Sequence, residues 1–279
     1  MKKIVFYITS VLFTSTYAQE ATQTKESNWK KGGTFAFLAN QSTFENWVPG
    51  GQSNFAASSN VNYDFNYKKD TWNWDNKLIL AYGVTKIKDA DIQKTDDRIE
   101  FNSLLGKKAE GYWFYSFFTN FKSQITTDLT GSGKNRTRFF SPAFLQIGPG
   151  MLWKKSDNLK VNIAPLTSRF VFVMDSQLSN AGAFGVDPGK NMRFELGASV
   201  SGYYKFNLME NVSVENILNL YTNYLDRPKN VDLDYQLNVV MKINKYLTTN
   251  FSYQTVYDDN AISRLQTRQV IGVGLNTKF

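Results

Sequence analysis

The sequence predicts an all-β chain: a single antiparallel transmembrane β-barrel of about 12 strands, with short periplasmic turns and longer extracellular loops. Three observations predict it. Apolar and polar residues alternate with period two through most of the chain. Many alternating runs last ten residues or more, whereas soluble strands average about 5–6 and a tilted membrane strand needs about 9–11. The links between runs alternate between tight and long.

The N-terminus reads as an address. Lys2 and Lys3 precede apolar patches at Ile4–Ile8 and Val11–Phe13, and small residues lead to Ala18. This is the order of a secretory signal, too short to span a bilayer. The expected division is a signal peptide at 1–18, a short periplasmic N-terminal segment at 19–32 and the barrel at 33–279. Loss of Lys2 and Lys3 lowers the formal charge from +8 to +6. No later stretch has eighteen consecutive apolar residues.

Strands are expected at roughly 33–40, 53–67, 72–85, 97–109, 112–126, 138–154, 159–173, 193–206, 211–224, 231–243, 247–258 and 271–279. Residues 231–243 put Val231, Leu233, Tyr235, Leu237, Val239, Met241 and Ile243 on one face, against Asp232, Asp234, Gln236, Asn238 and Lys242 on the other. Tight turns follow the even strands, as at Lys68–Asp70 and Asn244–Tyr246, and the longest link is 174–192. Aromatic residues bunch beside the tight turns: Tyr67, Trp72, Trp74, Tyr112, Trp113, Trp153, Phe206 and Tyr246. A second set, with Tyr82, Tyr224 and Tyr257, approaches the loops, and two such girdles match two membrane interfaces. Phe279 ends the last apolar row and resembles the sorting signal read by the outer-membrane assembly machinery. Pro49, Pro188 and Pro228 fall in loops, whereas Pro142, Pro149 and Pro165 fall inside strands and require bulges or strand ends there.

Gln41-Ser42, Asn46-Trp47, Gly50-Gly51, Tyr82-Gly83, Lys94–Asp97, Ser141-Pro142, Phe184–Val186 and Tyr257–Asp259 occur in that order. Together they resemble the Bacteroidota outer-membrane β-barrel family filed as domain of unknown function 3078, over nearly all of the mature chain. The resemblance implies an outer-membrane barrel of one domain. It brings no activity and no functional residues.

Composition removes several chemistries. The chain has no Cys and no His. That excludes disulfides, thiolate sites and the Ser-His-Asp triad, together with any hydrolase built on a His base. Glu195 and Glu215 are candidates for two-carboxylate chemistry, but residue 195 is expected to pair near 222 and residue 215 near 202, which separates them. Asp89, Asp91, Asp96 and Asp97 offer oxygen ligands without EF-hand spacing, and solvated loop charge accounts for them better. The glycines of 179–185 lack a phosphate-loop lysine. Lysines are scattered, with no nucleic-acid motif. The sequence therefore points to no enzyme, no cofactor and no metal.

Charge placement carries the functional reading. Inward-facing candidates are Arg98, Lys122, Arg193, Glu195, Lys205, Glu215, Asp232, Asp234 and Lys242, joined by Asp64, Asp75, Glu100 and Lys278. Lys68, Lys69, Lys107, Lys108, Lys154 and Lys155 flank tight turns as a basic periplasmic rim. Snorkelling toward lipid headgroups explains such a rim, and a docking face for an acidic periplasmic partner is the sharper alternative. The expectation is a non-enzymatic barrel in the outer membrane of a Gram-negative bacterium, with both termini periplasmic. It would act as a narrow passive pore for small polar solutes. Its expected partners are outer-membrane lipid and, during biogenesis, the barrel-assembly machinery; no nucleic acid is expected. The alternative is a closed structural or accessory subunit of a larger outer-membrane assembly, contacted by a periplasmic or outer-membrane protein through loop residues Asn46, Trp47, Gly50 and Gly51.

Overall fold

The computed structural model describes residues 27–43, 52–127, 137–260 and 262–279. The signal segment and the loop residues Asn46, Trp47, Gly50 and Gly51 lie outside the described residues. Twelve strands form the fold: β1 (Trp29–Ser42), β2 (Asn54–Lys69), β3 (Trp72–Ile87), β4 (Gln93–Lys108), β5 (Trp113–Ser123), β6 (Ala143–Ser156), β7 (Leu159–Phe172), β8 (Met192–Met209), β9 (Val212–Asn223), β10 (Asp232–Lys242), β11 (Leu247–Asp258) and β12 (Ile262–Lys278). A short helix, α1 (Ser176–Asn180), and a 3-10 turn at Ala183–Gly185 interrupt the β7–β8 link.

Each strand pairs antiparallel with its chain neighbours, and β1 pairs with β12, so the sheet closes into one barrel. Closure satisfies the backbone groups that an open edge would leave facing hydrocarbon. The seam runs from Thr34↔Lys278 to Ala39↔Val273. Phe279 extends it: its N–H donates to the Gly33 carbonyl and its carbonyl accepts from the Gly33 N–H. The Phe279 ring lies where a Cβ on Gly33 would sit, at 2.4–2.9 Å, and stacks on Tyr63 at 6.1 Å. The terminal aromatic therefore closes the barrel mechanically, and glycine at position 33 makes room for it.

Even strands end in tight turns (the turn side) and odd strands in longer links (the loop side). The 259–261 link is an exception, at three residues. β12 starts nine residues earlier than the periodicity predicts. β6 starts at Ala143 rather than 138, because Arg138 and Ser141 pair with each other in an isolated bridge ahead of it. The other two in-strand prolines sit at bulges as expected. The β6–β7 register breaks between Ile147 and Met151, around Pro149, and the β7–β8 register between Ala164 and Thr167, around Pro165. There β7 presses its backbone on β6: a Cβ on Gly148 would meet the Leu166 carbonyl at 2.5 Å, and one on Gly150 the Ile163 carbonyl at 2.4 Å.

The barrel is polar inside and apolar outside. Large side chains with less than 2 % exposure include Glu195 and Asn76 beside Leu152 and Val171. Phe35, Phe37, Tyr115, Phe117, Phe194, Ile271 and Leu275 are exposed on the outer wall. Such a continuous apolar exterior suits hydrocarbon rather than water. Trp29 packs on Tyr67 and Trp74 at the turn side, and Tyr112 packs on Trp153. Lys107 lies over the Trp72 ring and Lys245 over that of Tyr246. Aromatic rings with lysine stems beside them are the chemistry of a headgroup boundary.

Candidate functional site

The lumen is the candidate site, and strand parity builds it. Side chains that meet across the barrel, such as Lys122 with Asp234 and Lys77 with Glu215, mark the inner face. Counting by twos along each register from these pairs places Arg98, Lys122, Arg193, Glu195, Lys205, Glu215, Asp232, Asp234 and Lys242 on it. Lys205 and Lys242 lie at its turn-side end, where Lys205 is the cross-strand partner of Glu215.

Near the turn side, Asp75 on β3 receives Lys154 at 2.9 Å and Lys160 at 2.8 Å. These two lysines are direct partners on β6 and β7. One carboxylate from another wall thus holds a pair of like charges together. Beside it, Glu215 on β9 lies 3.7 Å from Lys77 on β3 and accepts from the Tyr203 hydroxyl at 2.8 Å and from Asn238 at 3.3 Å.

Toward the loop side, Lys122 on β5 donates to Asp234 on β10 at 2.8 Å and lies 4.0 Å from Glu100. Arg98 on β4 lies 3.8 Å from Glu100 and donates to Gln236 on β10 at 3.2 Å. Gln254 adds a bond to Asp234 at 2.9 Å. In a closed ring of twelve strands, β3 and β9 face each other, as do β4 and β10. A circular barrel of this strand number has a backbone diameter of about 24 Å. A lysine and a carboxylate do not span that width, so the direct pairs require an oval lumen, tied across its short axis. Above this tie lies a cavity of about 370 Å³ open to the loop side, whose lining includes Arg98, Lys122, Gln254, Arg268 and Phe144.

Arg169 on β7 organises a third cluster. Its guanidinium pairs with Asp232, with Asp258 at 2.9 Å and with Glu195 at 3.7 Å. It lies over the Phe144 ring at 5.3 Å and over the Tyr221 ring at 5.1 Å. Glu195 also takes Arg193 at 2.6 Å. The 173–191 link folds over this hub. Val173, Leu178, Ala183 and Val186 form its small core, Asp175 caps α1 and pairs with Arg138, and a Cβ on Gly185 would meet the Arg193 guanidinium at 2.5 Å. Arg169 was not among the residues singled out from sequence, because its partners come from three other strands. Asp232, Asp258 and Asp259 bring carboxylate oxygens within 4.8 Å of one another. Guanidinium groups already serve this trio: Arg169 takes the first two, and Arg227 takes Asp259 at 2.8 Å.

Several sequence expectations change. Lys154 does not stand on the turn-side rim: it is buried in the lumen on Asp75 and Asn73, because its parity matches Leu152 rather than Trp153. Lys68, Lys69, Lys107, Lys108 and Lys155 remain exposed at the rim. The acidic loop does not gather either. Asp96 pairs with Arg268 at 2.8 Å, while Asp97 is taken by Lys94 and by the Ile125 and Thr126 N–H groups. The β8–β9 register is offset by three residues from the expected one, with Glu215 opposite Lys205. Glu195 lies ten residues from Lys205 on β8, roughly 33 Å at about 3.3 Å per residue. Two-carboxylate glycoside chemistry works at about 5–9.5 Å, so this pair does not supply it.

Solved structures similar to this chain are outer-membrane barrels, matched at low identity. An outer-membrane channel from Pseudomonas putida aligns over 94 % of this chain and 98 % of its own, with 7 % identity and a TM-score of 0.41. Outer membrane phospholipase A from Escherichia coli aligns over 92 % and 94 %, with 9 % identity and a TM-score of 0.40. The translocator domain of the autotransporter NalP from Neisseria meningitidis aligns over 92 % and 90 %, with 11 % identity and a TM-score of 0.33. No curated protein matches the sequence. The model of a family described as a protein of unknown function (DUF3078) matches residues 39–128, which run from the end of β1 past β5 and include Tyr82-Gly83 and the Lys94–Asp97 segment.

Proposed function

We propose that the chain is a non-enzymatic outer-membrane barrel that passes small polar solutes through a narrow lumen, with its tight turns and both termini in the periplasm. The observation that carries this reading is the inverted polarity of the wall. Ionic and amide side chains line the inside from Asp75 and Lys160 at one end to Arg169 and Asp232 at the other, around an apolar exterior. The tie between Lys122, Glu100, Arg98 and Asp234 is the constriction that sets size and charge selectivity. Outer-membrane lipid is the surrounding partner, and the assembly machinery the one met during biogenesis.

A second reading, a closed scaffold within a larger assembly, is favoured by the ion pairs between opposite walls. It gives the exposed rim lysines and the loops the work of contacting a partner protein. Single-channel recording of the refolded barrel in a planar bilayer separates the two. Stable, charge-selective steps support the pore. Verified insertion without conductance, in wild type and in a variant with the tie cut (Asp234→Asn with Lys122→Gln), refutes it in favour of the scaffold.

A further inference from the structure

The loop-side cavity differs from the rest of the lumen in how its charges are answered. Two of its basic residues are neutralised within its own wall: Lys94 by Asp97 at 2.6 Å and Arg268 by Asp96 at 2.8 Å. Its other two cations, Arg98 and Lys122, are not. Their carboxylate partners, Glu100 and Asp234, do not line the cavity. Arg98 and Lys122 thus line the cavity while the carboxylates that pair with them stand outside its lining. A volume of about 370 Å³ suits a metabolite-sized ligand, and Phe144 and Pro142 supply apolar wall.

We infer that this vestibule binds a small organic anion, a carboxylate held by Arg98 and Lys122, before it reaches the constriction. As the substrate class of the pore it rests on the reading above; as a binding site it stands on the vestibule alone. An Arg and a Lys side by side accept the two oxygens of one carboxylate, or one oxygen from each end of a short dicarboxylate. A cationic solute meets like charge at the same floor and is disfavoured.

The test is calorimetric titration of the detergent-folded barrel with succinate, with uncharged succinamide and dicationic putrescine as comparisons. Saturable succinate binding is expected, weakened about ten-fold by Arg98→Gln and by Lys122→Gln, since each removes one charge-assisted bond. Heat-modifiable gel mobility verifies folding. A second variant, Thr95→Trp, fills the exposed rim of the cavity without removing a cation and is expected to abolish binding. Absence of succinate binding at millimolar concentration, equal binding of succinamide, or preference for putrescine overturns the inference. Parallel bilayer recording keeps the two proposals distinct. A conducting barrel that ignores succinate loses the vestibule and keeps the pore; a silent barrel that binds succinate loses the pore and keeps the vestibule.

Discussion

Asp75→Asn tests how the lumen is held together. Asp75 answers Lys154 and Lys160, which face each other across β6 and β7. Like charges opposite each other in a sheet destabilise it. Two unit charges about 5 Å apart repel by about 3 kcal/mol at an effective dielectric of about 20, and by less than about 1 kcal/mol in bulk water. Lys154 is nearly buried and its second carboxylate partner, Asp157, is mostly solvent-exposed, so little screening replaces Asp75. Removing one member of a buried ionic cluster costs about 3–5 kcal/mol, and the partial hydration of Lys160 places the expectation at the lower end. The predicted loss is therefore about 3 kcal/mol, read as urea unfolding of the barrel in lipid vesicles by tryptophan fluorescence. The cause is repulsion between the lysines, so adding Lys160→Gln to Asp75→Asn restores at least about 1 kcal/mol. A single variant as stable as wild type, or a double variant no better than the single, refutes the reasoning.

Three further outcomes follow from the geometry. Gly33→Ala puts a methyl group into the Phe279 ring and breaks its stacking on Tyr63. A loss of about 1–2 kcal/mol is expected, and because it acts through Phe279, the Gly33→Ala/Phe279→Ala double variant is no less stable than Phe279→Ala in the same unfolding assay. Arg169→Met leaves Asp232, Asp258 and Glu195 without their common cation and costs about 3 kcal/mol. Arg169→Lys restores less than half, since an ammonium does not bridge three carboxylates while also lying over the Phe144 and Tyr221 rings. Asp234→Asn and Lys122→Gln shift the anion-to-cation permeability ratio in opposite directions, toward anions and toward cations respectively. Each moves it by about five-fold, from about 1 kcal/mol per unpaired charge in a watery lumen, read from reversal potentials in a salt gradient.

Period-two alternation and the alternating link lengths made the wall and the barrel legible and left the pairings across the lumen illegible. Val231–Ile243 assigns each side chain to a face without ambiguity, because a strand offers only two. The same logic failed at the start of β12. Its outward residues there, Leu265, Thr267 and Gln269, are mostly polar, and the contrast with inward Arg264, Gln266 and Arg268 vanishes. Phe139 and Phe140 misled in the other direction: they look like strand, yet Phe140 has a positive φ and belongs to the turn before β6. Lys154 went wrong because a Lys-Lys pair always places one member on each face, and composition does not say which is buried. Sequence also named most lumen charges but none of the pairings between them across the barrel. Lys122 meets Asp234 from 112 residues away, and only the barrel's girth and oval section decide that meeting.

That dependence runs both ways. Among the described residues, apolar packing alone does not fix the barrel's cross-section, since its largest buried side chains include Glu195 and Asn76 beside Leu152 and Val171. Ion pairs across the lumen take over that role, so the groups that shape the barrel also set the field along any path through it. Stability and selectivity are then coupled where a charge bridges two walls, as at Lys122 and Asp234. They separate where a charge lines the lumen without a bond to another wall. Among the described residues Lys205 is such a position: it is exposed at the turn-side end and partnered in register by Glu215 on the adjacent strand. Replacing Lys205 by Gln should alter permeability with little change in unfolding, whereas Lys122→Gln should alter both. If the two variants behave alike in both measurements, the oval tie is not what holds this barrel's shape.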